Sequence, residues 1–275
     1  MLIYKMRQEA QRRGLSPRTI QTYIYCLNQF LRVKRNQELR KINKEEIKEY
    51  LDRFLDCPNT LNVHLNALKF FFEEVLHKKL TINVRFSKIP KRLPEFLTKE
   101  ETIKFLDVIE NPKHRLIIEL MYGTGMRVNE LVNLKVKDFD FEGNYGWVRQ
   151  GKGRKDRLFI LPLRLKEKIQ ELINSLKLDS EDWLFTGQSG NHYSVSSIQM
   201  IVKKARKVAG IEKNVHPHTF RHSFATHVIQ NGYALMELQP LMGHSKLETT
   251  MVYLHTASPN LLNVKSPLDS LDVRI

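Results

Sequence analysis

The stretch His216-Pro-His-Thr-Phe-Arg-His-Ser-Phe-Ala-Thr-His227 predicts a helix that carries an anion-binding pair. His218 and Arg221 are three residues apart, so their side chains leave such a helix on the same side. A guanidinium binds two oxygens of an anion, and the histidine donates to a third. An adjacent apolar stripe at four-residue spacing predicts the face that packs into a core: Phe220, Phe224 and Val228. Taken alone, the pair is better explained as a surface histidine and a salt-bridged arginine than as an anion site. Other motifs of the chain are needed to distinguish the two interpretations.

The composition narrows the class of protein. The chain has 275 residues, of which 41% are hydrophobic, enough for one large or two ordinary domains. It contains no apolar run of about 18 residues that would span a membrane, and no secretory signal at its start. Cys26 and Cys57 are too few for a disulfide framework, and no Cys/His cluster has the spacing of a zinc site. We therefore expect a cytoplasmic protein without a structural metal.

The charge of the chain favours a polyanionic partner. The formal net charge is +15, and residues 1–95 hold 20 basic against 10 acidic residues, so +10 lies in the first third. A protein this basic usually binds nucleic acid. The alternative is a lysine-rich solvated surface, which proteins of thermophiles often have.

Residues 1–82 predict a small helical unit without clear strands. Ser16 and Pro17 have the identities of an N-cap and a first helical residue. Asn43 and Glu46 have the spacing of a capping box at another helix start.

A second domain is predicted after a linker. Residues 83–97 contain two prolines and four basic residues, which favour an extended segment that follows a phosphate backbone. Thr98-Lys-Glu-Glu101 is a capping box and opens a domain that we place at residues 98–257. Two strand-like runs around a glycine-bearing turn predict a β-hairpin at residues 145–163, within an otherwise helical pattern. Residues 258–275 form a partly apolar tail.

Four further motifs combine chemistry with a helix start or a turn. Gly123-Thr-Gly-Met-Arg127 places an arginine at the start of a helix. Gly151-Lys152-Gly153 places a lysine at the tip of the predicted hairpin, and Gly243-His244-Ser245 places a histidine between two helices. Met251-Val-Tyr253 places a tyrosine on the last strong helix. Each motif alone has an ordinary structural explanation.

Taken together, the five motifs resemble the catalytic residues of the tyrosine recombinase/integrase family in their order and spacing. The residues that carry this resemblance are Arg127, Lys152, His218-x-x-Arg221, His244 and Tyr253. The resemblance covers nearly the whole chain, and its size is most similar to the Xer chromosome-dimer resolvases, with a tail that suggests an archaeal member. It implies a mainly α fold with a small β-hairpin or sheet in the catalytic domain. It also implies a two-domain, C-shaped DNA clamp whose residues 1–82 form a SAM-like core-DNA-binding domain.

The resemblance implies covalent catalysis on DNA. Tyr253 would attack a phosphodiester to form a 3′-phosphotyrosyl bond and free a 5′-hydroxyl, which needs neither ATP nor a metal. Arg127 and Arg221 match the arginines that bind the non-bridging oxygens of the phosphate in the transition state. No cofactor is implied.

The remaining residues have implied roles in proton transfer and alignment. Lys152 matches the lysine that protonates the leaving oxygen, and His218 matches the general base or proton relay for the tyrosine. His244 matches a donor to the scissile phosphate, and Glu130 would orient Arg127. His222 projects about 100° away from Arg221 around the helix, and we expect it to take no part in the chemistry.

Pro240 departs from the family pattern. A proline inside the helix that leads to His244 removes one hydrogen bond and favours a kink. We therefore expect a possible displacement of His244.

The implied partners are double-stranded DNA, further copies of the chain in a tetrameric assembly on DNA, and an activating protein as an open possibility. The apolar tail residues Leu261, Leu262 and Val264 would fill a pocket of a neighbouring copy, or else pack on their own domain. A phage or plasmid integrase, a type IB topoisomerase-like enzyme and a DNA-binding module without catalysis are the alternatives.

Overall fold

The computed structural model describes residues 2–35, 38–39, 41–78, 94–149, 156–187, 190–243 and 247–256, without the side chains of residues 247, 248, 255 and 256. The chain divides into two compact units, Met1–Lys91 and Arg92–Ile275. The described residues are mainly helical with one small antiparallel sheet, so the predicted fold class is confirmed. No helix within these ranges combines the length and apolarity that a membrane crossing requires.

The N-terminal unit consists of helices over the part of it that the structure describes. They are α1 (Leu2–Arg12), α2 (Pro17–Val33), α3 (Lys44–Asp52) and α4 (Pro58–Lys69), which continues into a π-helical turn at Phe70–Val75. Ser16 caps α2 by accepting from the Thr19 amide at 3.1 Å, and Asn43 forms the predicted capping box with Glu46. These helix starts could be predicted because each depends on residues adjacent in sequence.

An aromatic cluster forms the core of this unit. Phe30 is fully buried and meets Tyr50 and Phe72 edge to face, with ring centroids 5.0 Å and 5.9 Å away. The hydroxyl of Tyr50 lies 3.0 Å from Nδ1 of His64, which stacks on Phe54. This buried polar pair is thus hydrogen-bonded and enclosed by aromatic rings.

The C-terminal unit carries eight described helices and three strands. The helices are α5 (Lys99–Asp107), α6 (Pro112–Thr124), α7 (Val128–Val132), α8 (Leu163–Leu176), α9 (Val195–Val208), α10 (Pro217–Gln230), α11 (Leu235–Met242) and α12 (Leu247–Thr256). The strands are β1 (Phe139–Asp140), β2 (Tyr145–Val148) and β3 (Arg157–Ile160), and a 3₁₀ turn at Val136–Asp138 precedes β1.

The sheet has the order β1-β2-β3 and is antiparallel throughout. The predicted hairpin is present as β2 and β3, with Trp147 opposite Leu158 and Val148 opposite Arg157. Strand β1 was not predicted, because two residues are too few to show an alternating pattern. A Cβ at position 146 would lie 2.3 Å from the ring of Phe159, so the close approach of the strands requires Gly146.

Helix α10 runs through the centre of this unit. Phe220 is fully buried against Phe105 at 5.0 Å, while Phe224 and Val228 pack on a second cluster that contains Tyr253. The predicted apolar stripe is therefore confirmed as a packing face. α11 runs through Pro240 to Met242, where Gly243 ends it in the left-handed region with φ of 58°.

Several predicted segments lie outside the described residues. They are most of the basic linker, the hairpin tip with Lys152, the turn with His244 and the tail after residue 256.

Candidate active site

Arg221 is buried and held by two backbone carbonyl groups. It lies on the second turn of α10 and is only 3% exposed. Nη1 donates to the carbonyl oxygen of Gly125 at 2.7 Å, and Nη2 donates to the carbonyl oxygen of Met242. Burial, and then the positive charge of Arg127, lower the pKa of Arg221 to about 10. The guanidinium is thus charged at neutral pH and fixed between the end of α6 and the end of α11.

Arg127 lies at the start of α7, where the sequence predicted it. Gly125 ends α6 in the left-handed region with φ of 63°, and Arg127 is the N-cap residue of α7. Its amide donates to Oε2 of Glu130 at 2.7 Å, and its Nη1 donates to Oε1 of the same carboxylate at 2.7 Å. Glu130 therefore orients Arg127 through both backbone and side chain, as predicted.

The two arginines interact across the site. After burial, the positive charge of Arg127 lowers the pKa of Arg221 most, and Glu130 offsets part of that repulsion. A guanidinium has five donors, so it can bind an oxygen anion beside its protein contacts. Two cations that protein contacts hold in the same region favour the binding of an anion such as a phosphodiester.

A buried ion pair between Glu130 and Arg157 lies next to Arg127. Glu130 and Arg157 have side chains 5% and 7% exposed, and Oε2 of Glu130 accepts from Nη2 of Arg157 at 2.5 Å. Burial by itself raises the pKa of Glu130, but Arg157 and Arg127 together hold that pKa below its usual value. Glu130 therefore carries a negative charge between two arginines.

Tyr253 points into the same region from α12. It is 4% exposed, and its hydroxyl lies 3.0 Å from Nδ1 of His222. Burial raises the pKa of Tyr253, whereas Arg221 and Arg127 act in the opposite direction. Burial also lowers the pKa of His222, to about 4. Both partners are consequently neutral near pH 7, and a hydrogen bond joins the tyrosine hydroxyl to the imidazole nitrogen.

His218 occupies the first turn of α10 and stays accessible to solvent. Partial desolvation, and then the neighbouring His216 and Arg221, lower the pKa of His218. A neutral imidazole at this place accepts a proton rather than supplying one. The positive charge of Arg127 also contributes to this lower pKa, so His218 lies within electrostatic range of both arginines.

The family models match almost the whole described chain. The model of the phage integrase family matches residues 95–259, and that of the N-terminal SAM-like domain of phage integrases matches residues 2–82. The chain belongs to the phage integrase family. Its members include the tyrosine recombinases, so the predicted family is confirmed.

Relatives and solved structures agree with this assignment. A tyrosine recombinase of Pseudothermotoga lettingae is 36% identical over 256 residues, which is 88% of this chain and 89% of that protein. The tyrosine recombinase XerA of Thermococcus onnurineus is 38% identical, over 87% of this chain and 85% of that protein. The crystal structure of the XerH site-specific recombinase in a post-cleavage complex with a palindromic difH substrate is similar with a TM-score of 0.74 and 27% identity. That similarity covers 94% of this chain and 82% of XerH.

Of the six predicted catalytic residues of this phage integrase family member, four are described. Arg127, Arg221 and Tyr253 are brought together, and His218 adjoins them. Lys152 and His244 lie outside the described residues, so their places in the site stay predictions. Within the described ranges, no three histidine, cysteine, aspartate or glutamate residues form a group that would hold a metal ion.

Two residues of the site were missed from the sequence. We expected His222 to take no part in the chemistry, and the structure places it in contact with the hydroxyl of Tyr253. An angle of about 100° around α10 separates it from Arg221, but α12, which carries Tyr253, packs on the face of α10 that carries His222. Arg157 was also missed, although it alternates with Leu158 and so shares the core-facing side of β3 with Phe159. A charged residue on a core-facing strand position was the available signal.

Proposed function

We propose that this member of the phage integrase family is a site-specific recombinase that cuts and rejoins double-stranded DNA through Tyr253. The Oη atom of Tyr253 attacks the scissile phosphorus, the bond from phosphorus to the 5′-oxygen breaks, and a 3′-phosphotyrosyl bond forms. A 5′-hydroxyl of another strand reverses the step. The observation that carries the proposal is the burial of Tyr253 beside two fixed arginines, with its hydroxyl on a neutral histidine.

Each described residue has a role that its contacts support. Arg221 and Arg127 bind the non-bridging oxygens, on which charge increases in the transition state. His222 is hydrogen-bonded to the Tyr253 hydroxyl and so orients the nucleophile. His218, which is solvent-accessible and has a lowered pKa, accepts the tyrosine proton as the reaction proceeds. We further propose Lys152 as the proton donor to the 5′-oxygen and His244 as a donor to the phosphate.

The N-terminal unit is proposed to hold the DNA. Residues 1–95 carry a net charge of +10, from 20 basic and 10 acidic residues, which suits a phosphate backbone. Four copies on two DNA sites form the proposed assembly, in which residues 258–275 dock on a neighbouring copy. A chain truncated after Ser258 tests the docking, because it should still cleave DNA but not join two sites. Retained recombination would refute it.

The covalent intermediate is the first test. Fragments of the host chromosome with nicks are incubated with the protein, denatured and sorted for DNA joined to protein. The wild-type chain should retain DNA through a 3′-phosphate, and Tyr253→Phe should retain none. Tyr50→Phe is the matched control, since Tyr50 also places its hydroxyl 3.0 Å from a histidine nitrogen. Equal trapping by wild type and Tyr253→Phe would show that Tyr253 is not the nucleophile.

Sequencing of the trapped ends tests the biological role. We propose chromosome-dimer resolution, which agrees with the name XerA of one close relative. This role requires trapped ends at one chromosomal locus, and loss of the protein should leave chromosome dimers. Trapped ends at the borders of a mobile element would instead identify an integrase.

A further inference from the structure

Arg157 makes contacts that a purely structural arginine on a strand does not need. It is the first residue of β3, and its side chain, which is 7% exposed, turns towards the core. Nη2 donates to Glu130 at 2.5 Å, and Nη1 donates to the carbonyl oxygen of Leu241 at 2.7 Å. Burial of a guanidinium is unfavourable unless its partners compensate, and burial does lower the pKa of Arg157 against the effect of Glu130.

The first contact reaches Arg127 through a shared carboxylate. Oε2 of Glu130 accepts from Arg157 and from the amide of Arg127, while Oε1 accepts from the Arg127 guanidinium. Because a buried cation holds one of its oxygens, the carboxylate group of Glu130 has little freedom to rotate. The direction in which Arg127 presents its remaining donors therefore depends on Arg157.

The second contact lies on the last turn of α11. Arg157 binds the carbonyl oxygen of Leu241, and Arg221 binds that of the next residue, Met242. A cation at the C-terminal end of a helix is favoured by the exposed carbonyl groups. The two arginines thus rest on consecutive carbonyls of one helix end.

The chain is fitted closely around this side chain. A Cβ at position 243 would lie 2.6 Å from Cδ of Arg157, so only glycine allows the approach of α11. Nε of Arg157 is buried and has no hydrogen-bond partner within the described residues. A buried donor without a partner costs stability, so the contacts that Arg157 does make call for a reason other than stability alone.

We propose that Arg157 is a positioning residue of the active site, which fixes Arg127 through Glu130 and holds the end of α11, where the next carbonyl oxygen accepts from Arg221. The proposal rests on the proposed function, because it assigns to Arg127 and Arg221 the stabilisation of a scissile phosphate. It makes Arg157 important for charge in the transition state and unimportant for DNA affinity.

The test compares two substrates in single-turnover cleavage. One is a nicked duplex with the ordinary phosphodiester at the trapped site, and the other has a methylphosphonate there. The methyl group replaces one charged oxygen, so the arginines have less charge to stabilise. Arg157→Met should lower the cleavage rate roughly 10–100-fold on the phosphodiester, and at most about 3-fold on the methylphosphonate. DNA affinity, measured in a Tyr253→Phe background, should not change.

Two controls separate positioning from stability. Arg115→Met removes a partly exposed arginine that is paired with Asp107 and Glu119 in the same unit, and it should cleave both substrates at the wild-type rate. Should Arg157→Met fail to fold, Arg157→Lys keeps the buried charge but has a single amine for two acceptors. It should show a smaller loss that again disappears on the methylphosphonate.

A double variant tests the path through Glu130. If Arg157 acts through that carboxylate, Arg157→Met with Glu130→Gln should lose no more than the worse single variant. Equal losses on both substrates, or additive losses in the double variant, would overturn the proposal. Absence of covalent DNA with the wild-type chain would instead overturn the proposed function, so the two failures are distinguishable.

Discussion

Two tyrosine–histidine pairs in the two units have nearly the same geometry and different surroundings. Tyr50 and His64 in the N-terminal unit, and Tyr253 and His222 in the C-terminal unit, each join a hydroxyl to Nδ1 at 3.0 Å. Both tyrosines are buried, at 2% and 4% exposure. In both pairs burial raises the pKa of the tyrosine and lowers that of the histidine.

The difference lies in the positive charges around the hydroxyl. Burial raises the pKa of Tyr50 to about 12; one exposed arginine, Arg53, opposes this rise, and the rings of the aromatic core surround the side chain. Two arginines of the candidate site, Arg221 and Arg127, oppose the same effect at Tyr253. The two pairs therefore differ in the arginines near the hydroxyl, and under the proposed function the two arginines near Tyr253 make it suited to attack a phosphate.

Loss of Arg221 should have the largest effect. Arg221→Met removes the cation nearest Tyr253 and leaves the carbonyls of Gly125 and Met242 without this donor. We expect the rate of covalent-complex formation to fall about 10²–10³-fold. Arg206→Met is the matched control, because Arg206 also donates to two backbone carbonyls, those of Ile211 and Glu212, away from the site. A similar rate for both variants would remove the distinction between the two tyrosine pairs.

The residues that could be predicted from sequence are those whose setting is local. The helix starts at Ser16, Asn43 and Thr98 depend on partners three residues away, and all three are present. Arg127 and Arg221 could be placed because a glycine corner and a three-residue helical spacing mark them.

The residues that could not be predicted depend on contacts between distant parts of the chain. Arg157 pairs with Glu130, which is 27 residues away, and with Leu241, which is 84 residues away. His222 meets Tyr253 across 31 residues, and this contact depends on where α12 packs. Periodicity gives the face of a helix but not the element that covers that face.

Gly125→Ala should have the next largest effect, on both stability and cleavage. A Cβ at Gly125 would lie 2.3 Å from the ring of Phe224, and φ is +63°. Gly210→Ala is matched, with φ of +60° and no atom within 4 Å of the added Cβ. We expect about 1 kcal/mol of destabilisation at Gly210 and about 1–3 kcal/mol more at Gly125, since the ring must move.

Thermal unfolding of the two glycine variants checks this difference. Gly125→Ala should also cleave more slowly, because its carbonyl oxygen holds Arg221. Equal destabilisation would mean that the backbone conformation alone, rather than the packing under Arg221, makes position 125 sensitive.

The pH dependence of stability should show the neutral state of His222. Its pKa is about 4 in the folded chain and near ~6.5 in the unfolded chain. Between these values the unfolded chain binds more protons, so the contribution of His222 to the free energy of unfolding is full above about pH 6.5 and falls towards pH 4. After allowance for the partial exposure of His222, we expect the free energy of unfolding to fall by about 1–2 kcal/mol between pH 6.5 and pH 4.

Denaturant unfolding of wild type and His222→Asn across this pH range measures that contribution. Asparagine keeps an acceptor for the Tyr253 hydroxyl and does not titrate, so the variant should lose less stability on acidification. The other buried histidines, such as His64 and His227, affect both proteins alike. Parallel pH profiles would show that His222 is not held neutral by the fold.

Tyr50→Phe should have the smallest effect and sharpens the comparison most directly. The change removes one buried hydrogen bond to His64 and keeps the ring against Phe30, so about 1 kcal/mol of stability should be lost. Cleavage should proceed at the wild-type rate, whereas the same change at Tyr253 should abolish it. Chemical unfolding and single-turnover cleavage of the two variants measure both quantities. If Tyr50→Phe slowed cleavage while its stability stayed normal, the N-terminal pair would contribute to catalysis, and nearby arginines would not be the feature that distinguishes the reactive tyrosine.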